Sequence, residues 1–368
     1  MTIRTSPRLT DMPHYEPGLT TAEVLKRFGL TSAVKLASNE SPFPPMPEVA
    51  EAVAGGVATL NRYPDGPART LRRDLAERHG VDPAQVTVGN GSCELLLLAG
   101  QALLDPGTTV MSATPSFSLY GHLAAAAGAG AVEVPLADDH GHDLETMAAL
   151  IDERTRLIII CNPNNPTGVY RSADAIEAFL DQVPEDLPVL VDEAYNEFVA
   201  APDRGRVLSL ARERPNLLVT RTFSKAHGLC GLRVGYAVGS EAWVRAIDTV
   251  RQPFNTNALA QAAAIESFRR QSELDRRVRA TIAARADLVA DLQGEGWEVV
   301  PSEANFVLAL PPPALGGGAA VHRALLERGV IVRDGTSLGC PGRLRISVGT
   351  PEEHAVFAGA RAALMHPR

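Results

Sequence analysis

The chain has 368 residues, 35 of them Lys or Arg and 43 Asp or Glu, giving a net charge of −8; it exceeds the length one hydrophobic core usually supports, so two packed units are expected. The acidic balance, with no basic run, argues against a nucleic-acid partner. No apolar stretch reaches the length of a bilayer span and the N-terminus has no signal-like core, so the expected location is the cytoplasm, with no membrane partner.

In chain order, residues 1–45 read as irregular, an arm leading to the proline-dense SPFPPMPE. From about 46 to 265, helical stretches such as PARTLRRDLAERHG and SCELLLLAGQALL alternate with the apolar runs QVTVGN, TVMSAT, AVEVPL, RLIIICN, LPVLVDEAY, NLLVTRT and RVGYAVG. Such alternation predicts βαβ units and a mostly parallel sheet covered on both faces, an α/β fold. A single long helix is expected from Ala258 through Gln293, ended by Gly294 and Gly296. The strands WEVV, NFVLAL, VIVRDG and RLRISVG, the helix AVHRALLERG and a final helix from Pro351 then predict a smaller α+β unit over 266–368. The four cysteines, Cys93, Cys161, Cys230 and Cys340, are scattered singly, with no CxxC pair, which suits reduced, mostly buried thiols and not a disulfide scaffold.

Ligands of open α/β sheets bind where strands end, so the residues just past each apolar run are the functional candidates. In TVGNGSCELLLLAG, Gly89 and Gly91 permit a tight turn, and Ser92 and Cys93 open a helix whose free N–H groups suit a phosphate. The segment is no dinucleotide fingerprint, because Glu94 stands where the third glycine would be. Phe117 follows TVMSAT and can lie against a planar ring or simply fill the core. In IIICNPNNPTGV two X-Pro steps force an extended, turning path that presents the amide of Asn165. Asp192 follows a fully apolar strand, where a carboxylate is costly unless a cation such as a pyridinium N–H faces it, and Tyr195 can bond an oxygen on the same ring.

The chain has only three lysines, Lys26, Lys35 and Lys225. Lys225 lies beyond an apolar strand in TRTFSKAHGLCGLRVGY, between Thr222 and Ser224 and the glycine-flanked Arg233. A desolvated amine there can attack a carbonyl, which arginine cannot do because it stays protonated. The hydroxyls, glycine backbone and Arg233 make a second half of a phosphate cradle.

In their order and spacing, NPNNPTG, DEAY and SK followed by GLRVGY resemble the fold-type-I pyridoxal-phosphate aminotransferases, and NRYPD, GNGS, VIVRDG and LRISVGT resemble their histidinol-phosphate aminotransferase branch, from HYEPG at 14–18 to the last helix. The resemblance implies a homodimeric enzyme with pyridoxal 5'-phosphate as a Schiff base on Lys225, which also shuttles a proton. Asp192 would hold the ring nitrogen, Tyr195 and Asn165 the ring oxygen, and Phe117 would stack on the ring where tyrosine is more usual. Ser92, Cys93, Ser224 and Arg233 would bind the phosphate, joined by Tyr63 of NRYPD from the second subunit. Arg345 would clamp the substrate's carboxylate, while Arg333 and Tyr15 would contact its side chain. The implied division is 1–45 as arm and part of a small domain, 46–265 as the large cofactor-binding domain and 266–368 as the small domain. His227 and Cys93 depart from the usual tyrosine and acid.

The activity implied is ping-pong transfer of an amino group from histidinol phosphate to 2-oxoglutarate. A phenylalanine or other aromatic aminotransferase and a threonine-phosphate decarboxylase share this scaffold and remain open here. A cofactor-binding regulator would need an added DNA-binding module, for which there is no room ahead of HYEPG.

Overall fold

The computed structural model describes residue 3 and residues 18–365. The strands are β1 (Val34–Lys35), β2 (Val86–Gly89), β3 (Thr109–Thr114), β4 (Gly130–Pro135), β5 (Thr155–Cys161), β6 (Val189–Asp192), β7 (Leu217–Thr222), β8 (Gly235–Gly239), β9 (Glu298–Val299), β10 (Phe306–Leu310), β11 (Val330–Ile331), β12 (Arg333–Asp334) and β13 (Leu344–Ser347). The main sheet has seven strands in the order β2-β8-β7-β6-β5-β3-β4. All run parallel except β8, which is antiparallel to both neighbours.

Side chains alternate across each strand, so the apolar runs feed two separate cores. Val191, Val219 and Val238 face one core, closed by the helices Arg69–His79, Ala173–Leu180 and Ala258–Arg269. Leu190, Leu218 and Ala237 face the other, closed by the helices Ser92–Leu103, Leu119–Ala127 and Glu241–Val250. Coverage on both faces is why these strands read as continuous hydrophobic stretches.

The C-terminal part builds an antiparallel sheet β12-β13-β10-β9 with its own core around Val307, Ile346, Leu325 and Phe357. β1 pairs in parallel with β11, so part of the N-terminal segment packs on this unit.

Four expectations need correction, the last being that the cysteines are mostly buried. Residues 1–45 are not wholly irregular: the helix Thr21–Phe28 starts with a capping box, in which Thr20 and Glu23 satisfy each other's backbone N–H. The expected long helix is two, Ala258–Arg269 and Gln271–Gly294, because Arg270 leaves helical geometry at φ −89°, ψ 47°. The second helix buries Leu274 and Val278 in a core of the main sheet, and Leu288 and Leu292 in the C-terminal core. VIVRDG splits after Ile331, so that β11 joins β1 while β12 joins β13. Of the four cysteines only Cys161 is buried; none is in a disulfide.

Candidate active site

The carboxyl ends of β3, β5, β6 and β7 open on one cavity of about 900 Å³, walled on its other side by the N-terminal segment and the β12–β13 sheet. Its lining includes Ser92, Cys93, Phe117, Asn165, Asp192, Tyr195, Ser224, Lys225, Arg233, Arg333 and Arg345. These residues are separated by up to about 250 positions in the chain, and the strand ends bring them together.

Asp192 ends β6 and is 3% exposed. Its carboxylate accepts from the hydroxyls of Tyr120 at 3.0 Å and Thr220 at 3.3 Å, and among the described residues no cation pairs with it. Burial pushes its carboxyl up to about 6, against the pull of those two hydroxyls and of the Ala194 backbone N–H. A buried acid held by neutral donors alone is suited to a cation brought by a ligand. Tyr195 lies three residues on, buried, its hydroxyl accepting from Asn39 Nδ2 at 3.1 Å; burial raises its phenol.

Lys225 sits in the loop after β7, its Nζ 3.2 Å from the Ser38 carbonyl and 5.7 Å from the centre of the Tyr195 ring. Burial, then the Arg345 guanidinium, pull its ammonium down to about 8, so an appreciable fraction is the nucleophilic free amine near neutral pH.

The phosphate-sized end of the cavity is built from glycines. Gly91, at φ +84°, caps the helix Ser92–Leu103, and a Cβ there would sit 2.5 Å from Arg233 Nη2. At Gly235 a Cβ would meet the Ser92 backbone nitrogen at 2.4 Å, which holds the helix N-terminus against β8. Arg233 Nη1 donates to Ser224 Oγ at 3.2 Å and to the Cys230 carbonyl at 3.0 Å. A guanidinium, a hydroxyl and free helix N–H groups thus converge, a donor set that suits a dianionic phosphate. Burial, and then Asp192, raise the Cys93 thiol, so its side chain is no anionic competitor there.

Arg345, on β13, donates from Nη1 to Asn165 Oδ1 at 2.6 Å and from Nη2 to the Ala37 carbonyl at 2.8 Å. Arg333, on β12, lies opposite it in register, so both side chains share one face. Phe117 meets the edge of Tyr120 at 5.7 Å between ring centres.

Some expected residues are elsewhere. Tyr63 is 81% exposed, stacked on Phe254 at 4.5 Å, and does not line this cavity. Tyr15 lies outside the described residues. His227 is buried, with Nδ1 2.8 Å from Ser267 Oγ and its ring against Phe223, and burial drives its pKa down to about 3, a core role rather than a site role. Tyr120, Thr220, Ser38 and Asn39 were not anticipated. Tyr120 sits in an apolar helical run and the others contact site residues only through tertiary packing, so no local pattern marks them.

The donor set fits pyridoxal phosphate: an amine for its aldehyde, an unpaired acid for its ring nitrogen and a cradle for its phosphate. Residues 31–360 match the family model for aminotransferase class I and II. The chain is 43% identical to a histidinol-phosphate aminotransferase of Geobacillus thermodenitrificans over 94% of each chain. It is 45% identical to histidinol-phosphate aminotransferase 2 of Ralstonia nicotianae, over 94% of this chain and 93% of that one. The histidinol-phosphate aminotransferase of Sinorhizobium meliloti, solved with pyridoxal-5'-phosphate, superposes with a TM-score of 0.90 at 26% identity, over 99% of this chain and 98% of that one. An aspartate aminotransferase of Thermus thermophilus, solved with maleate, gives a TM-score of 0.83 at 27% identity, covering 98% and 100%. On the fold, the cavity and these similarities together, the chain belongs to the class I and II aminotransferases, pyridoxal-phosphate-dependent enzymes built on the fold-type-I α/β scaffold.

Proposed function

We propose that the chain transfers the amino group of histidinol phosphate to 2-oxoglutarate, the step of histidine biosynthesis that yields imidazole acetol phosphate and glutamate. The carrying observation is the register pair Arg333 and Arg345, two guanidinium groups on one face at the cavity wall. Two planar guanidinium groups side by side present donors in the fork geometry that matches a phosphate monoester or a carboxylate. The 43–45% identical relatives are named for this activity.

Ser92, Cys93, Ser224 and Arg233 would hold the cofactor's phosphate, Asp192 its ring nitrogen, Tyr195 and Asn165 its ring oxygen, and Phe117 one ring face. Pyridoxal phosphate supplies an aldehyde that condenses with amines and a protonated ring that draws electrons from the bond being broken. Arg345 grips glutamate's carboxylate in one half-reaction and the phosphate ester in the other, orienting the carbon that carries the amine. Histidinol phosphate has no α-carboxylate, so Arg345 must serve two anions. The free Lys225 Nζ takes the proton from that carbon and redelivers it, work that its lowered pKa suits. Asp192 is buried, so its charge acts on the ring nitrogen with little screening.

The exposed Tyr63–Phe254 stack is the surface proposed to meet a second copy, with Tyr63 reaching the partner's phosphate site, and Tyr15 to close on substrate. We further read the chain as cytoplasmic, divided at about residues 45 and 265 as above. Among the described residues no helix is long and apolar enough to cross a membrane, and no cluster of His, Cys, Asp or Glu could hold a metal ion.

The test is purified enzyme with 2-oxoglutarate and histidinol phosphate, phenylalanine, tyrosine or threonine phosphate, following glutamate and carbon dioxide. Glutamate formed fastest from histidinol phosphate is expected. A kcat/KM for phenylalanine more than about tenfold higher, some 1.4 kcal/mol in transition-state binding, would reassign the substrate, and carbon dioxide from threonine phosphate would reassign the reaction.

A further inference from the structure

We infer that Tyr120 is a positioning residue for the reaction: its hydroxyl fixes the carboxylate of Asp192 in the orientation that receives the cofactor ring, while its own ring fixes Phe117. The inference rests on the reading of Asp192 as the partner of the ring nitrogen. Tyr120 lies in the first turn of the helix Leu119–Ala127 and is 1% exposed. A phenol has one proton to give, and this one goes to Asp192 Oδ2 at 3.0 Å. The other carboxylate oxygen, Oδ1, takes the longer bond from Thr220 at 3.3 Å. The two donors therefore hold one oxygen each and fix the rotation of the carboxylate.

The surroundings leave few substitutes. Among the described residues the groups that bear on Asp192 or lie beside it are Tyr120 from the helix, Cys161 from β5, Thr220 from β7, the Ala194 backbone N–H, and Glu193, Tyr195 and Cys93 from the neighbouring loops and helix. None is a cation. Without the Tyr120 hydroxyl, Asp192 would keep a single side-chain donor in a dry site, where a carboxylate takes up a proton or rotates toward whatever donor remains. Either change spoils its match to a ring N–H. The same side chain stands edge-on to Phe117, interplanar angle 87°, so one residue links the acid at the ring's nitrogen to the aromatic face beside the ring.

A double-substitution cycle read by cofactor affinity tests this, using the apoprotein titrated with pyridoxal phosphate and followed by protein fluorescence. Tyr120→Phe is expected to weaken binding about 5- to 20-fold with melting changed by only a few degrees, as loss of a hydrogen bond to a charged group does. In an Asp192→Asn background the same change should cost less than about twofold, because the carboxylate through which it acts is gone. Equal losses in both backgrounds would show that Tyr120 only packs, and no loss in the native background would overturn the inference outright. If Asp192→Asn alone leaves affinity unchanged, the reading of Asp192 fails first, and the inference with it. Should Tyr120→Phe fold poorly, 3-fluorotyrosine at 120, a stronger donor on the same skeleton, replaces it. Affinity should then change when Asp192 is present and stay constant when it is Asn; constancy in both would refute the role.

Discussion

The two faces of the main sheet treat buried acid in opposite ways at the ends of β6 and β7. On the far face Glu193 accepts from Arg221 Nε at 2.8 Å and Nη2 at 2.7 Å, a pair closed within the protein. One residue earlier, on the cavity face, Asp192 meets the hydroxyls of Tyr120 and Thr220 and the Ala194 backbone N–H, all neutral donors, and carries a carboxyl pushed up by burial to about 6. A buried acid with its own cation is finished when the chain has folded. One without a cation is suited to receive it from a ligand, and that difference marks Asp192, at the cavity, as the candidate functional acid.

If the faces divide their work in this way, changes on the cavity face remove catalysis and spare folding. Lys225→Ala is expected to have the largest effect, lowering kcat/KM by at least about 10³-fold in a coupled glutamate assay, with melting nearly unaltered. Asp192→Asn should follow at about 10²- to 10³-fold, the usual loss for removing a preorganised charge. On the far face the order reverses: Arg221→Met leaves Glu193 buried without its cation and should cost about 3–5 kcal/mol in urea unfolding, while kcat/KM of the folded fraction stays within about fivefold. A catalytic loss equal to that of Asp192→Asn, at full stability, would erase the distinction.

The pH dependence sharpens it. The folded-state pKa of Asp192 is raised above its ordinary 3.8, so between about pH 4 and 6 the folded apoprotein holds a proton that the unfolded chain has released. Its contribution to stability is therefore present at low pH and lost as pH rises through that window, on the order of 2–3 kcal/mol in all. Glu197, buried and raised to about 7, adds a slope of the same sign up to that pH. The diagnostic is thus the stability of the native apoprotein relative to Asp192→Asn, which should fall by that amount from about pH 4 to 6 and then stay level. The smallest effect expected is that of Phe117→Tyr, a two- to threefold change in cofactor affinity by titration, since aromatic contact is kept.

Arg233 could be read from the sequence because it stands between closely spaced glycines after Lys225, and Lys225, Asp192, Asn165 and Arg345 because each sits at or just past an apolar strand, where chain direction places a side chain near the ligand face. The parallel sheet was legible for the same reason. Tyr120 was not, since its hydrogen bond depends on how the helix Leu119–Ala127 docks beside β6, information that no local window holds. The Ser38 carbonyl and Asn39 are placed by the pairing of β1 with β11, two-residue strands too short to give a pattern, and by hydrogen bonds of Asn39 to Ser347 and Asn305, which are distant in the chain. The capping box at Thr20 and Glu23 was locally readable and simply outweighed by the prolines that follow. The break at Arg270 carries neither glycine nor proline, so no local breaker marks it.

The measurement closest to the central claim is borohydride reduction of the cofactor-loaded enzyme, then digestion and mass analysis of the lysine peptides. Because only Lys26, Lys35 and Lys225 carry the required amine, the account predicts a pyridoxyl-phosphate adduct on the peptide containing Lys225 alone. An adduct on Lys26 or Lys35, with the Lys225 peptide unmodified, would contradict it.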